Sequence, residues 1–150
     1  MSITFRTVIL VNCLWLTSCV NNTHNVESSS ALICPNAHEY KDQVVGDGHC
    51  VSLIKQCANA PQTSFWRAGN KVRGQKLQQG TIIATFKNGK YPNKTGYHAA
   101  IFIEQTQDGI WVWDQWVGKP VHKRLIRYRN DRASASNTAQ AYRVVKLKSH

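Results

Sequence analysis

The 150-residue sequence predicts an α+β fold in which a helix carrying a cysteine packs on an antiparallel sheet. Two observations predict it. A single short run of helical spacing, "CVSLIKQCA", is followed by segments rich in β-branched and aromatic residues, and glycines punctuate those segments. The length suits one domain that buries roughly two thirds of its unfolded surface, and 42% hydrophobic content is ordinary for such a chain.

The N-terminus comes first. "TVILVNCLWL" has about the length of a signal-peptide apolar region and is too short to span a bilayer, which needs about 20 apolar residues. It ends in "LTSC", which is similar to a bacterial lipobox, so residues 1–18 are expected to be removed and Cys19 to be the lipidated first residue. An ordinary cleaved signal peptide, with Cys19 incidental, is the plainer reading. Both export the chain to the periplasm or cell envelope, lipid-anchored in the first case and secreted otherwise. Residues 19–30, with the polar stretch "NNTHNVESSS", read as a tether, and 31–150 as the folded domain.

In the helix, apolar residues at Cys50, Val51, Ile54, Cys57 and Ala58 share helical spacing. Asp47 and Gly48 are expected to provide the cap and a tight turn, and "NAP" at 59–61 ends the run. Cys50 then lies in the first turn, where free N–H groups and the helix dipole favour a thiolate and could hold an oxyanion. Alone, such a cysteine is more often structural, so a partner base is required. Cys50 and Cys57 are about 10.5 Å apart along a helix, beyond the roughly 7 Å of a disulfide. Export permits oxidation, and a Cys34–Cys57 disulfide leaves Cys50 free. A zinc site of Cys34, His38, Cys50 and Cys57 matches no paired-ligand spacing, and no metal or organic cofactor is expected.

"SFWRAGNKVRG" reads as a loop with a short turn. Strands are expected at 81–86, 98–105, 109–116, 121–128 and 140–147, forming a meander. His98 opens the second of these and is the best candidate base. His24 lies in the tether, His150 is terminal, His122 sits in a basic run, and His49 points about 100° away from Cys50. Asp114 is the only carboxylate of "IWVWDQW". A turn near Thr106 and Gln107 brings Asp114 to Trp116 opposite His98, whereas a tight turn on Asp108-Gly109 separates them. Gln115 is the alternative orienter.

The motifs "GDGHCVSLIK", "GYHAAIF" and "WVWDQW" together resemble the papain-like NlpC and CHAP amidases that cut peptidoglycan, across about residues 46–145. "GTIIATF" resembles that superfamily's first core strand. The resemblance implies a papain-like fold with Cys50 as nucleophile, His98 as base and Asp114 as third member. In that third place NlpC proteins often carry His, and CHAP proteins Glu or Asn. It also implies a stem-peptide substrate, a thioester intermediate, and an inhibitor or immunity protein as a partner. Small amidases of this kind also serve as bacterial toxins, although a signal peptide departs from effectors delivered through a secretion needle.

The basic run at 119–132 could suggest nucleic acid, but export of a chain of net charge +11 points to carboxylate- or phosphate-rich envelope polymers instead. The basic stretch "KPVHKRLIRYRNDR", with Lys123, Arg124 and Arg127, is expected to hold a carboxylate-bearing stem, and Trp66, Trp113 and Trp116 to line the groove. The rival reading is a non-catalytic lipoprotein whose tryptophans, Trp111 included, stack on wall sugars.

Overall fold

The computed structural model describes residues 31–129 and 133–148. The expected signal peptide, Cys19 and the tether lie outside the described residues. The described residues form one α-helix, α1 (Cys50–Ala58), and six strands: β1 (Trp66–Lys71), β2 (Ile82–Thr85), β3 (Ala99–Gln105), β4 (Gly109–Trp116), β5 (Lys119–Arg127) and β6 (Tyr142–Leu147). Short 3₁₀ turns cover 37–40, 63–65, 135–137 and 139–141.

All strand pairs are antiparallel, and the order is β1-β6-β2-β3-β4-β5. Only β2 to β5 form the expected meander; β6 returns to pair between β1 and β2. β1 corrects the reading of 64–74 as loop. Its "WRAGNK" has few residues of high strand propensity, yet pairing with β6 holds it in the sheet: Trp66 lies opposite Leu147, and Arg67 opposite Lys146.

Both faces of the central strands are covered, which explains the unbroken burial of β2 and the apolar run of β3. On one face α1 lays Leu53 and Ile54 against Ile82, Ala84, Ile101 and Val145. On the other, Ile83, Phe102, Val112 and Ile126 pack with Tyr142 and Ala139. Alternation along each strand sorts the side chains between the two layers.

α1 begins after the loop "GDGH". Gly46 and Gly48 adopt φ +58° and +79°, conformations that L side chains rarely adopt. The N-cap position is His49, whose side chain makes no cap bond, so capping by Asp47 and Gly48 is not what the structure has. Asp47 instead ties the loop together, its Oδ1 accepting from His49 N (3.0 Å) and Ser52 Oγ (2.5 Å). Asn59 ends α1 in a left-handed conformation. Cys57, near that end, is disulfide-bonded to Cys34, with Cα atoms 5.3 Å apart. By chain entropy, closing a loop of this size stabilises the fold by about 3 kcal/mol.

Gly109 starts β4 against Arg127 of β5. A Cβ there would stand 2.1 Å from the Ile126 carbonyl oxygen and 2.8 Å from Arg127 Cα, both backbone atoms that cannot swing aside. Gly109→Ala should therefore lower stability by about 2 kcal/mol or more in a urea melt. An unchanged midpoint would show that the strands can part there at little cost.

Candidate active site

Three segments meet at the N-terminal end of α1. The first is α1 itself, presenting Cys50, half-buried and a free thiol. The second is the head of β3, where the His98 backbone is pinned to the end of β2. There Thr85 Oγ1 accepts from His98 N (2.9 Å) and Thr85 N donates to His98 O (3.0 Å). The third is β4, which contributes Asp114 and Gln115, both fully buried.

The β3–β4 register settles the turn that sequence left open. Thr106 N donates to Gly109 O, so the turn falls on Gln107 and Asp108. A bulge between Phe102 and Glu104 then shifts the pairing by one residue, and Ile101 faces Trp113. Asp114 thereby comes beside His98, and its Oδ2 lies 2.9 Å from His98 Nε2. With Nε2–H committed to Asp114, the other ring nitrogen is left for Cys50, whose thiol interacts electrostatically with the imidazole.

Burial works against ionising any of these groups, and their contacts outweigh it. His98 is hard to protonate by burial alone, yet its bonds to Asp114 and Cys50 raise its pKa to about 9. Burial pushes the Cys50 thiol up, but His98, the Ala99 N–H and the Tyr91 hydroxyl bring it below the ordinary thiol range. Asp114, likewise opposed by burial, is held below the usual carboxylate range by His98 and Arg124. These shifts favour a thiolate beside an imidazolium.

Gln115 is not an alternative orienter of His98. Its Oε1 accepts from Val45 N (2.9 Å), and its Nε2 donates to Val45 O (2.8 Å) and His49 O (2.9 Å). It fastens the loop before α1 to β4 and so fixes where Cys50 stands. Tyr91 has its hydroxyl 3.7 Å from Cys50 Sγ. Burial and the neighbouring Cys50 hold this phenol well above its ordinary pKa. No spacing in the sequence marks Tyr91. Arg124, expected to be a wall-binding cation, instead donates from both Nε (2.9 Å) and Nη2 (2.5 Å) to Asp114 Oδ2. A signal for it existed: on β5 it shares its phase with buried Ile126.

The site opens into a cleft of about 1010 Å³, whose walls include Cys50, His98, Tyr91, Trp116 and Arg124. Trp116 is 41% exposed there, with its ring edge-on to His98 at 6.4 Å. Trp66 is a correction: it is fully buried in the core beneath Tyr91 and cannot touch a ligand. Trp113 packs partly buried against the helix-side core, outside the cleft walls. Lys123 lies over the Trp111 ring and near Glu104, and not in the cleft.

A helix-start cysteine, a strand-head histidine and a six-stranded antiparallel sheet in this order define a papain-like α+β fold of the NlpC/CHAP type. Residues 23–145 match the family described as domesticated amidase effector 2, Dae2. The type VI secretion amidase effector 2 protein of Salmonella typhi is 44% identical over 126 residues, covering 73% of this chain and 95% of that protein. Domesticated amidase effector 2 of Ixodes scapularis is 45% identical over 86 residues, 54% of this chain and 59% of the relative. A solved structure of type 6 secretion amidase effector 2 (Tae2) superposes with a TM-score of 0.69 at 42% identity, covering 79% of this chain and 96% of that one. The chain belongs to the Dae2 family of amidase effectors.

The electrostatics predict how Cys50 reacts with an alkylating agent. Its iodoacetamide rate should rise with pH along a curve whose inflection lies below the ordinary thiol value of about 8.5. His98→Ala should move the inflection upward, because the imidazolium that favours thiolate is gone. An inflection that stays in place in His98→Ala would show that the helix start alone sets the thiol.

Proposed function

We propose that this protein is a cysteine-dependent peptidoglycan amidase that hydrolyses an amide bond of the stem peptide through a thioester on Cys50. The observation that carries this reading is the Cys50–His98–Asp114 arrangement at the floor of an open cleft, with Asp114 Oδ2 2.9 Å from His98 Nε2. Membership of an amidase effector family supports the reaction class.

The chemistry follows from the protonation states. The Cys50 thiolate, its proton held on His98, attacks the amide carbonyl carbon and the C=O pair moves onto oxygen. First-turn N–H groups of α1 are the donors available for that oxyanion. Collapse expels the amine, which takes the proton from His98, and leaves a thioester on Cys50. His98, now neutral, draws a proton from water, whose oxygen attacks the thioester and releases the acid. Throughout, Asp114 keeps the imidazole oriented and favours its charged form, an orienting role.

The stem-peptide substrate rests on the family and on charge. An anionic wall polymer suits a chain of net charge +11, and Trp116 offers an apolar wall beside His98. Arg124, engaged by Asp114, is not among the free cations for this purpose. Export follows from the N-terminal apolar run, and the substrate lies on the far side of the membrane from synthesis. The partner expected to restrain such an enzyme is an inhibitor or immunity protein that fills the cleft.

Digestion of purified sacculi is the test. Wild-type protein should release new amine and carboxylate groups, Cys50→Ala should release none, and Asp114→Ala should retain more activity than His98→Ala. The wild-type rate should be bell-shaped in pH. It falls at the alkaline side as His98, raised to about 9, loses the proton owed to the leaving amine. It falls at the acid side when Cys50, set below the ordinary thiol range, becomes protonated. Full activity of Cys50→Ala would overturn the mechanism. Binding to sacculi without release of any product would favour the non-catalytic lipoprotein.

Attachment at Cys19 is a separate proposal, carried by "LTSC" at the end of the apolar run and the polar stretch after it. Acyl chains contribute about 0.8 kcal/mol per buried CH₂, so two or more hold a protein on a membrane. Mass spectrometry of the mature protein should find a diacylglyceryl-type mass on Cys19. A mature N-terminus elsewhere, with no lipid mass, would mean simple secretion.

A further inference from the structure

Asp114 stands between two imidazoles. Strand pairing places His122 of β5 directly opposite it. His122 Nε2 nevertheless lies 3.9 Å from Asp114 Oδ1, too far for a hydrogen bond. His98 Nε2 lies 2.9 Å from Oδ2. Oδ1 is buried and has no hydrogen-bond partner. The orientation of this carboxylate is thus decided wholly at one oxygen.

Arg124 supplies the other two bonds there, from Nε at 2.9 Å and Nη2 at 2.5 Å. Two donors from one rigid plane fix the direction of the carboxylate as a single donor cannot. The guanidinium is itself braced, 5.3 Å over the Trp116 ring, and Trp116 also sits edge-on to His122 at 4.9 Å. His122 Nδ1 lies 3.0 Å from Pro120 O, which can only accept, so Nδ1 carries a proton. A neutral His122 then turns an unprotonated Nε2 toward Oδ1, two acceptors face to face. Only a doubly protonated His122 could take the carboxylate.

We propose that Arg124 is a positioning residue: by pinning Asp114 Oδ2 it assigns the carboxylate to His98 and denies it to His122. The proposal rests on the reading of His98 as the base. The charged or titratable groups facing Asp114 are His98 from the head of β3, Arg124 and His122 from β5, and Tyr142 from β6, with Cys50 of α1 beyond His98. Tyr142 donates its hydroxyl proton to Ser136 O at 2.9 Å, which leaves the two histidines as the competitors.

Four variants and two readouts test it. Arg124→Ala should lower kcat by about 100-fold, the scale expected when a catalytic group is displaced by about 1 Å. KM should hardly move, and Arg124→Lys should recover part of the rate. His122→Phe alone should leave activity unchanged, and added to Arg124→Ala it should restore rate. The second readout needs no turnover. In Cys50→Ala protein, the low-field NMR resonance of the His98 Nε2 proton should vanish with Arg124→Ala and return with His122→Phe.

An undisturbed resonance in Arg124→Ala, or a double variant no better than the single, would overturn the proposal. So would a rise in KM at constant kcat, which would make Arg124 a substrate-binding cation. If Arg124→Ala does not fold, Arg124→Gln carries the same comparisons. Failure of the catalytic reading would appear separately, as activity in Cys50→Ala, with the NMR result unaffected.

Discussion

Two consecutive side chains of β4 hold the site together from opposite faces of the sheet. Strand alternation sends Asp114 to the layer of Ile110 and Val112, and Gln115 to the helix side with Trp113. Asp114 engages His98, and Gln115 engages Val45 and His49 in the loop that leads into Cys50. The separation between Cys50 and His98 is therefore governed by the position of one short strand segment. A one-residue slip of β4 would exchange the two roles and detach both halves at once.

That dependence carries an electrostatic cost which the site offsets locally. A buried carboxylate without partners loses its hydration and protonates. Here His98 and Arg124 converge on Asp114 Oδ2 and keep it ionised. The carboxylate in turn helps raise the pKa of His98, and His98 helps lower that of the Cys50 thiol. Each charge is stabilised by the next, so the constellation is best regarded as one coupled unit. Tyr91 completes it at the sulfur end while its ring packs on Trp66 of β1. That contact joins the distant edge of the sheet to Cys50.

The sequence made the local elements readable and left the long-range pairings hidden. The bounds expected for β4 are those observed, because "GIWVWDQW" lies between glycine turns and is rich in aromatic residues. Cys50 and His98 were legible from their places at a helix start and a strand head. β1 escaped because "WRAGNK" has weak strand propensity and becomes a strand only through β6, which lies far along the chain. The bulge after Phe102 that brings Asp114 beside His98 has no local signature. Arg124 was hidden in a run of cations, where only its phase with Ile126 hinted at an inward side chain. Tryptophan composition misled in one case, since Trp66 is core and Trp116 alone of the three lines the cleft.

The central claim is that the acyl group passes through the sulfur of Cys50. Rapid acid quenching during sacculus digestion, followed by proteolysis and mass spectrometry, observes that step directly. The account predicts a stem-peptide acyl mass on the fragment containing Cys50, removable by hydroxylamine as a thioester should be. An acyl mass bonded to any other residue of the chain would contradict it.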